Sequence, residues 1–383
     1  FFLNVIQTTA TMTANSTMML EVAGNDPSRA GTLTGKLSTI GALCEFLTGP
    51  LLGRGSDVQG RRPFVIAGAV GSAIMDFIVF LDPRSYRRLR LRTIISTVTN
   101  TCVITTVRAG LSDRMTGEEL GAANAQVGIY AGLAVIVGPM LGSLAQDKFG
   151  AKFVYFMSTA VGCLNAYLLS RNLKETLRDE DKKKMDWTAI NPLSFLKLLQ
   201  RSKDMMMTAL SLGFQCIGEA RFIFPYVMLT WQTVHGYSST ARGGFAAVFG
   251  MSYILGAVIA KKRIAKIGME AHITESNLSN LLGFFIWSLR QNIVGTVAAF
   301  AAMTFGIRKR DGLEVLLVKQ GAEQGWGRGE TYGYIANFKS MSAVLAPLLY
   351  SYSMKRGKNF HGAPMLSAAI MTLMAEMLFR LRN

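Results

Sequence analysis

Apolar residues in this chain come in stretches of about 20, which is the length a helix needs to cross a bilayer while satisfying its own backbone hydrogen bonds. Clear stretches cover residues 31–52, 63–81, 125–145, 152–170, 205–231, 243–260, 331–353 and 362–379. Weaker ones cover 1–22, 93–110, 273–289 and 293–318, making twelve predicted spans. The first is rich in Thr and Asn and opens on Phe1, so it is expected to lack its beginning. The span over 293–318 carries Arg308, Lys309, Arg310 and Asp311 partway along. Such a run is costly in hydrocarbon and predicts a break, or a face turned to water or protein.

The one long hydrophilic stretch, 171–204, divides the spans six and six. This predicts an N-terminal bundle over 1–170, a cytoplasmic linker over 171–204 and a C-terminal bundle over 205–383. The segment Asn191-Pro-Leu-Ser-Phe-Leu-Lys-Leu-Leu199 has apolar residues at helical spacing and is expected to lie along an interface as an amphipathic helix. Landmarks also recur at a fixed displacement. Gly117 and Gly121 match Gly325 and Gly329, Pro139 matches Pro347, and Gly60 matches Gly268, each 208 residues on. A single offset across two different loops indicates a duplicated six-helix unit.

Composition agrees with this pattern. Half the residues are hydrophobic and only 17% charged, against about a quarter in soluble domains. The net charge is +17, but the Lys and Arg sit between apolar runs rather than on a continuous polar surface, so nucleic acid is not an expected partner. Cys44, Cys102, Cys163 and Cys216 are scattered within apolar runs without CxxC spacing and read as small packing residues. There is no nucleophile–base pair, metal-ligand spacing or phosphate loop, so the sequence points to no enzyme, cofactor or metal site.

The loop after the second span reads Gly53-Arg-Gly-Ser-Asp57-Val-Gln-Gly60-Arg61-Arg62. Gly60 permits a tight turn, and Asp57 can face a helix N-terminus or the following arginines. This pattern resembles the helix 2–3 loop signature of the major facilitator superfamily. Gly138-Pro139-Met-Leu-Gly142 resembles the family's antiporter motif, although Ser143 stands where a second Gly is usual. Leu173-Lys-Glu175-Thr-Leu177 resembles the family's P-E-S/T motif after the sixth helix, with Lys174 in place of proline, while Ser112-Asp113 and Asn191-Pro192-Leu193 are similar to the tetracycline-efflux and hippocampus-abundant-transcript-like branch.

The resemblance implies an all-α integral membrane protein with two pseudo-symmetric six-helix bundles that rock around a solute site. Gly53, Asp57, Gly60, Arg61 and Arg62 would then form a gating latch. It also implies a small-molecule solute and protons as partners.

Charges within spans are the candidates for the cavity. Asn15, Glu45, Asp76, Glu219, Arg221 and Lys339 are expected to line it, with Glu219 or Asp76 as the proton-coupling carboxylate. Glu219 and Arg221 are two apart and cannot share a helical face without a bend. Glu376, Lys36 and Arg108 are expected at interfaces.

Three features depart from the family pattern. Ala265 replaces the Asp in the second-half copy of the latch loop, and the arginines there are lost. Arg84, Arg87, Arg88, Arg90 and Arg92 precede the fourth helix, and Arg308 and Arg310 interrupt the tenth. These arginines suit anionic lipid or a protein partner in a membrane complex. Two readings follow: a proton-coupled secondary transporter of a small organic or drug-like solute, or a transport-inactive structural subunit of the same fold.

Overall fold

The computed structural model of the protein describes residues 1–115, 117–182, 191–306, 309–357 and 360–382. Arg308 and most of the charged run Lys182–Ile190 lie outside the described residues. In chain order the α-helices are α1 Phe2–Ala10, α2 Met12–Val22, α3 Pro27–Gln59, α4 Arg61–Leu81, α5 Tyr86–Ser112, α6 Gly117–Phe149, α7 Ala151–Asn172 and α8 Lys197–Gln200. They continue with α9 Lys203–Ile217, α10 Ala220–Thr233, α11 Ser239–Ile267, α12 Met269–Leu289, α13 Ile293–Met303, α14 Lys309–Glu323, α15 Arg328–Arg356 and α16 Ala363–Arg380. No strand occurs among the described residues. Among the described residues five helices are long and apolar enough to cross a membrane on length and composition alone.

The excess of helices over the twelve predicted spans comes mainly from breaks. Span one is interrupted at Thr11, between α1 and α2. The seventh is interrupted at Gly218 and Glu219, between α9 and α10. The tenth ends its first part in a 3-10 turn, Thr304–Gly306, before α14 begins at Lys309. A break at membrane depth needs partners for the freed backbone groups. Asn280 Nδ2 of α12 supplies one, donating to the Gly306 carbonyl at 2.6 Å.

The duplication is visible in the backbone. Helices α4 and α12 are both 21 residues long and begin 208 residues apart, at Arg61 and Met269. Each is preceded by a glycine with positive φ, +105° at Gly60 and +83° at Gly268, a conformation L side chains rarely adopt. Pro139 and Pro347 both lie inside helices, α6 and α15.

The chain divides into two compact units. Unit 1 comprises Phe1–Asp26, Ile40–Asn191 and Gly236–Gly250, and unit 2 comprises Pro27–Thr39, Pro192–His235 and Met251–Asn383. Within unit 1, α6 approaches α1 through the Gly138-Pro139 stretch: a side chain at Gly138 would collide with Thr9, and one at Gly142 with the Ala10 backbone. Small residues there allow close helix approach. Unit 2 is centred on Phe224, Trp231, Trp287 and Phe300, all at most 1% exposed. Both indoles are satisfied, Trp231 donating to the Gln291 carbonyl at 2.8 Å and Trp287 to Thr296 at 3.2 Å. The segment expected to form an amphipathic helix is a 3-10 turn, Pro192–Leu196, running into the four-residue α8. Its Phe195 and Leu198 are buried, and Phe195 packs on Phe338 of α15 at 5.5 Å between ring centroids.

Candidate functional site

The sequence-predicted site residues lead to polar clusters in both units. The first is the loop between α3 and α4. Gly60 is the N-cap of α4 and has no side chain with which to satisfy the first backbone N–H groups of the helix. Glu175, from the segment after α7, does this instead. It accepts from the backbone N–H of Arg61 at 2.9 Å and of Arg62 at 3.1 Å, and also from Thr176 and Leu177. Burial alone would raise the Glu175 carboxyl, but these backbone donors outweigh it and hold it below the usual range. A Cβ at Gly60 would fall on this carboxylate, so Gly60 is required both for its φ and for its neighbour.

Arg61 turns back into the loop. It pairs with Asp57 at 2.5 Å and with Asp113, at the end of α5, at 3.0 Å. It also donates to Ser56 Oγ at 2.7 Å. Arg62 instead reaches the end of α7, donating to the carbonyls of Leu173 at 2.8 Å and Ser170 at 2.7 Å. Arg61 therefore joins α3, α4 and α5, while Glu175 and Arg62 tie α4 to the end of α7. Gly53 lies on α3 with open space around its missing Cβ. The second-half counterpart keeps the turn but not the charges. There Arg263 of α11 grips Glu275 of α12 in a two-pronged pair at 2.5 and 3.0 Å.

The second place is a cavity of about 200 Å³ within unit 1, lined by residues including Gln7, Asn15, Ser72, Asp76, Arg92 and Asn100. Asp76 of α4 is 2% exposed and Arg92 of α5 is 8% exposed. They pair at 2.6 Å, and the second Asp76 oxygen accepts from Gln7 at 2.9 Å and Ser158 at 2.6 Å. Arg92 also donates to Thr11, at the break between α1 and α2, at 2.8 Å. Its guanidinium lies over the Tyr155 ring, 5.3 Å from the centroid. Pairing and hydrogen bonding of this kind offset the cost of burying the two charges.

Arg92 thus does not share the outward face of Arg84, Arg87 and Arg90, which are exposed. Arg84 pairs with Glu21 at 2.9 Å, and the half-buried Arg88 reaches the Ile78 carbonyl at 3.4 Å. Glu45, half-buried on α3, makes no ion pair among the described residues and does not line the cavity.

In unit 2, Glu219 meets Arg221 at 2.8 Å and Arg310 at 3.0 Å. The pairing of residues two apart, which an unbroken helix forbids, works because Glu219 is the extended N-cap of α10, with ψ of 133°. Lys339 pairs with Glu314 at 2.5 Å. Glu376 is 4% exposed rather than interfacial, and it accepts from Asn277 at 2.8 Å and Arg380 at 2.7 Å. Sequence reasoning passed over Thr11, Gln7, Ser158 and Asn277 because each is an ordinary polar residue until the fold brings a charge to it.

Matches to known proteins agree with the fold. The chain matches the Major Facilitator Superfamily over residues 1–347 and belongs to that family. It is a multi-pass integral membrane protein of a transporter family rather than of an enzyme class. It is similar to hippocampus abundant transcript-like protein 1 of Rattus norvegicus, 21% identical over 337 residues that cover 85% of this chain and 64% of that protein. The chain therefore spans just under two thirds of that relative. Tetracycline resistance protein, class D, of Salmonella ordonez is 23% identical over 83% of this chain and 79% of its own length. Among solved structures, a point mutant of the nucleoside transporter NupG superposes with a TM-score of 0.78, covering 100% of this chain and 97% of that one at 13% identity.

Proposed function

We propose that this chain is a secondary active transporter that moves a small organic solute across a membrane by alternating access and draws on a proton gradient. The observation that carries the reading is the cavity of unit 1, where a carboxylate–arginine pair, Asp76 and Arg92, lies among amide and hydroxyl side chains. Charge inside a membrane protein is costly and marks a substrate or ion path. The relatives named for tetracycline resistance and for nucleoside transport support a solute of drug-like or nucleoside size. In this scheme Asp76 exchanges its bond to Arg92 for a proton during the cycle, and Asp57, Arg61, Asp113 and Glu175 hold one state closed.

The test is uptake by the purified chain in liposomes. Radiolabelled tetracycline and nucleosides should accumulate when a pH gradient is imposed and stop when a protonophore collapses it. Asp76→Asn should leave solute exchange but remove the response to the gradient. Flux through wild-type vesicles no greater than through empty ones, with or without a gradient, sinks the transport reading.

A further inference from the structure

Two helix breaks meet in unit 2, and cations gather at them. Between α9 and α10, Gly218 leaves its carbonyl free of helical bonding and Glu219 caps the next helix. Helix α14 begins opposite, with Lys309 and Arg310 as its first two residues. Lys309 Nζ donates to the Gly218 carbonyl at 3.0 Å, and Arg310 takes Glu219. The cluster thus brings four cations, Arg221, Lys309, Arg310 and Lys339, to two carboxylates, Glu219 and Glu314.

The pairings show how the carboxylates are shared. Glu219 is shared by Arg221 and Arg310, and Glu314 is taken by Lys339. Lys309 is 5% exposed, and its direct partners are a neutral carbonyl and the face of Phe284, 5.7 Å from the ring centroid; Glu219 lies near enough to attract it but makes no ion pair with it. A buried ammonium with no carboxylate in contact is expensive, and a carbonyl, an aromatic face and a carboxylate already shared by two arginines offset only part of that cost. This cluster lies at a helix break, the backbone setting in which membrane carriers hold charged ligands. The first N–H groups of α10 leave the same spot with the positive end of a 14-residue helix. Access is provided by the rim, since Arg310 and Lys339 side chains are 26% and 28% exposed.

We infer that this cluster is a binding subsite for an oxyanion, a carboxylate or phosphate group carried by the solute, with Lys309, which has no carboxylate in contact, as the cation that recognises it and Arg310 and Lys339 at its rim. The inference rests on the transport reading above and narrows the solute to one bearing at least one negative charge. A neutral solute has no group that would complete the site.

The experiment measures binding, so it is independent of flux. The full chain in nanodiscs of uncharged lipid is titrated at constant ionic strength with matched probes: benzoate against benzamide, uridine 5′-monophosphate against uridine, and inorganic phosphate alone. The readout is the shift in unfolding temperature. The expected result is stabilisation by at least one anionic probe and none by its neutral partner. Response to benzoate alone assigns a carboxylate, and response to the nucleotide or phosphate assigns a phosphate. In Lys309→Met the apparent affinity for the active anion should fall at least tenfold, while Lys309→Arg retains most of it. The ligand-free Lys309→Met protein should unfold close to wild type, because loss of the hydrogen bond to the Gly218 carbonyl is offset by removal of a buried charge. Equal responses to anionic and neutral probes, no response to any probe, or an anion response unchanged in Lys309→Met would each overturn the subsite. Flux that fails while anion binding persists would overturn the transport reading and leave the subsite standing.

Discussion

Thr11 and Glu219 stand 208 residues apart (219 − 11), and each interrupts the first helix of its repeat. Each also accepts from an arginine of the fourth helix in that repeat, Thr11 from Arg92 at 2.8 Å and Glu219 from Arg310 at 3.0 Å. A second pair follows the same offset (215 − 7). Gln7 donates to Asp76 at 2.9 Å and Gln215 to Asn277 at 2.7 Å, each joining the first and third helices of its half. The repeat therefore reuses polar positions while changing the residues that answer them.

The two arginines should differ in what their loss does. Removing Arg92 as Arg92→Met leaves Asp76 as a nearly inaccessible carboxylate with only Gln7 and Ser158, at a cost of about 3–5 kcal/mol. Thermal unfolding in detergent should show a clear drop, largely restored by adding Asp76→Asn. Arg310→Met should be milder, because Arg221 still holds Glu219. Equal losses from the two single changes would count against this account.

Arg61 spans two carboxylates with different guanidinium nitrogens, which a lysine ammonium cannot do. Uptake by Arg61→Lys vesicles should fall about tenfold, the equivalent of ~1.4 kcal/mol, and Asp57→Ala should lower it comparably. The double variant should be little worse than either single one, since both break one link. Uptake indifferent to Asp57→Ala would remove the latch assignment.

The Glu175 cap carries a pH dependence whose sign follows from its lowered carboxyl. A carboxylate held below its free value contributes fully above that value, about 4.3 for Glu, and loses the contribution as pH falls through the lower folded value. Cross-linking of the α4 start to the segment after α7, or hydrogen exchange of the Arg61 and Arg62 amides, should be constant at neutral pH and change only in the acid range below about 4.3. In Glu175→Gln the acid transition should disappear. An unchanged transition in that variant would exclude the cap as its source.

Gly60→Ala and Gly268→Ala make a matched comparison, because both place a side chain at positive φ at a cost of roughly 1–2 kcal/mol. At Gly268 there is open space, whereas at Gly60 the new carbon meets Glu175. The first substitution should lower the unfolding temperature more than the second and release the slow amide exchange at Arg61. Gly142→Ala should cost about 1–3 kcal/mol by forcing α6 away from the Ala10 backbone.

The fold was largely legible because apolar length and the 208-residue offset are one-dimensional signals. Gly60 and Gly268 match in the sequence alone, and α4 and α12 fall in register with them. The sites were only partly legible. Asp57 and Arg61 could be read from their spacing, but Asp113 and Glu175 join them from more than 50 residues away. Arg92 looked like one of a basic row because sequence does not show which turn of α5 faces inward. Glu376 looked interfacial because its proximity to Arg380 and the chain end hid the buried Asn277 beneath it.

The 3-10 interruption at Thr304–Gly306 has no counterpart in α5, which runs unbroken from Tyr86 to Ser112. Around it, Asn280 and Ser276 of α12 already bond to the carbonyls of Gly306 and Phe305. The kink in the tenth span is therefore held by side chains of a neighbouring helix, where the fourth span is held by its own backbone. Losing Asn280 would strip support from the one and leave the other untouched, so the two halves are alike in layout but differ in what their fourth span depends on.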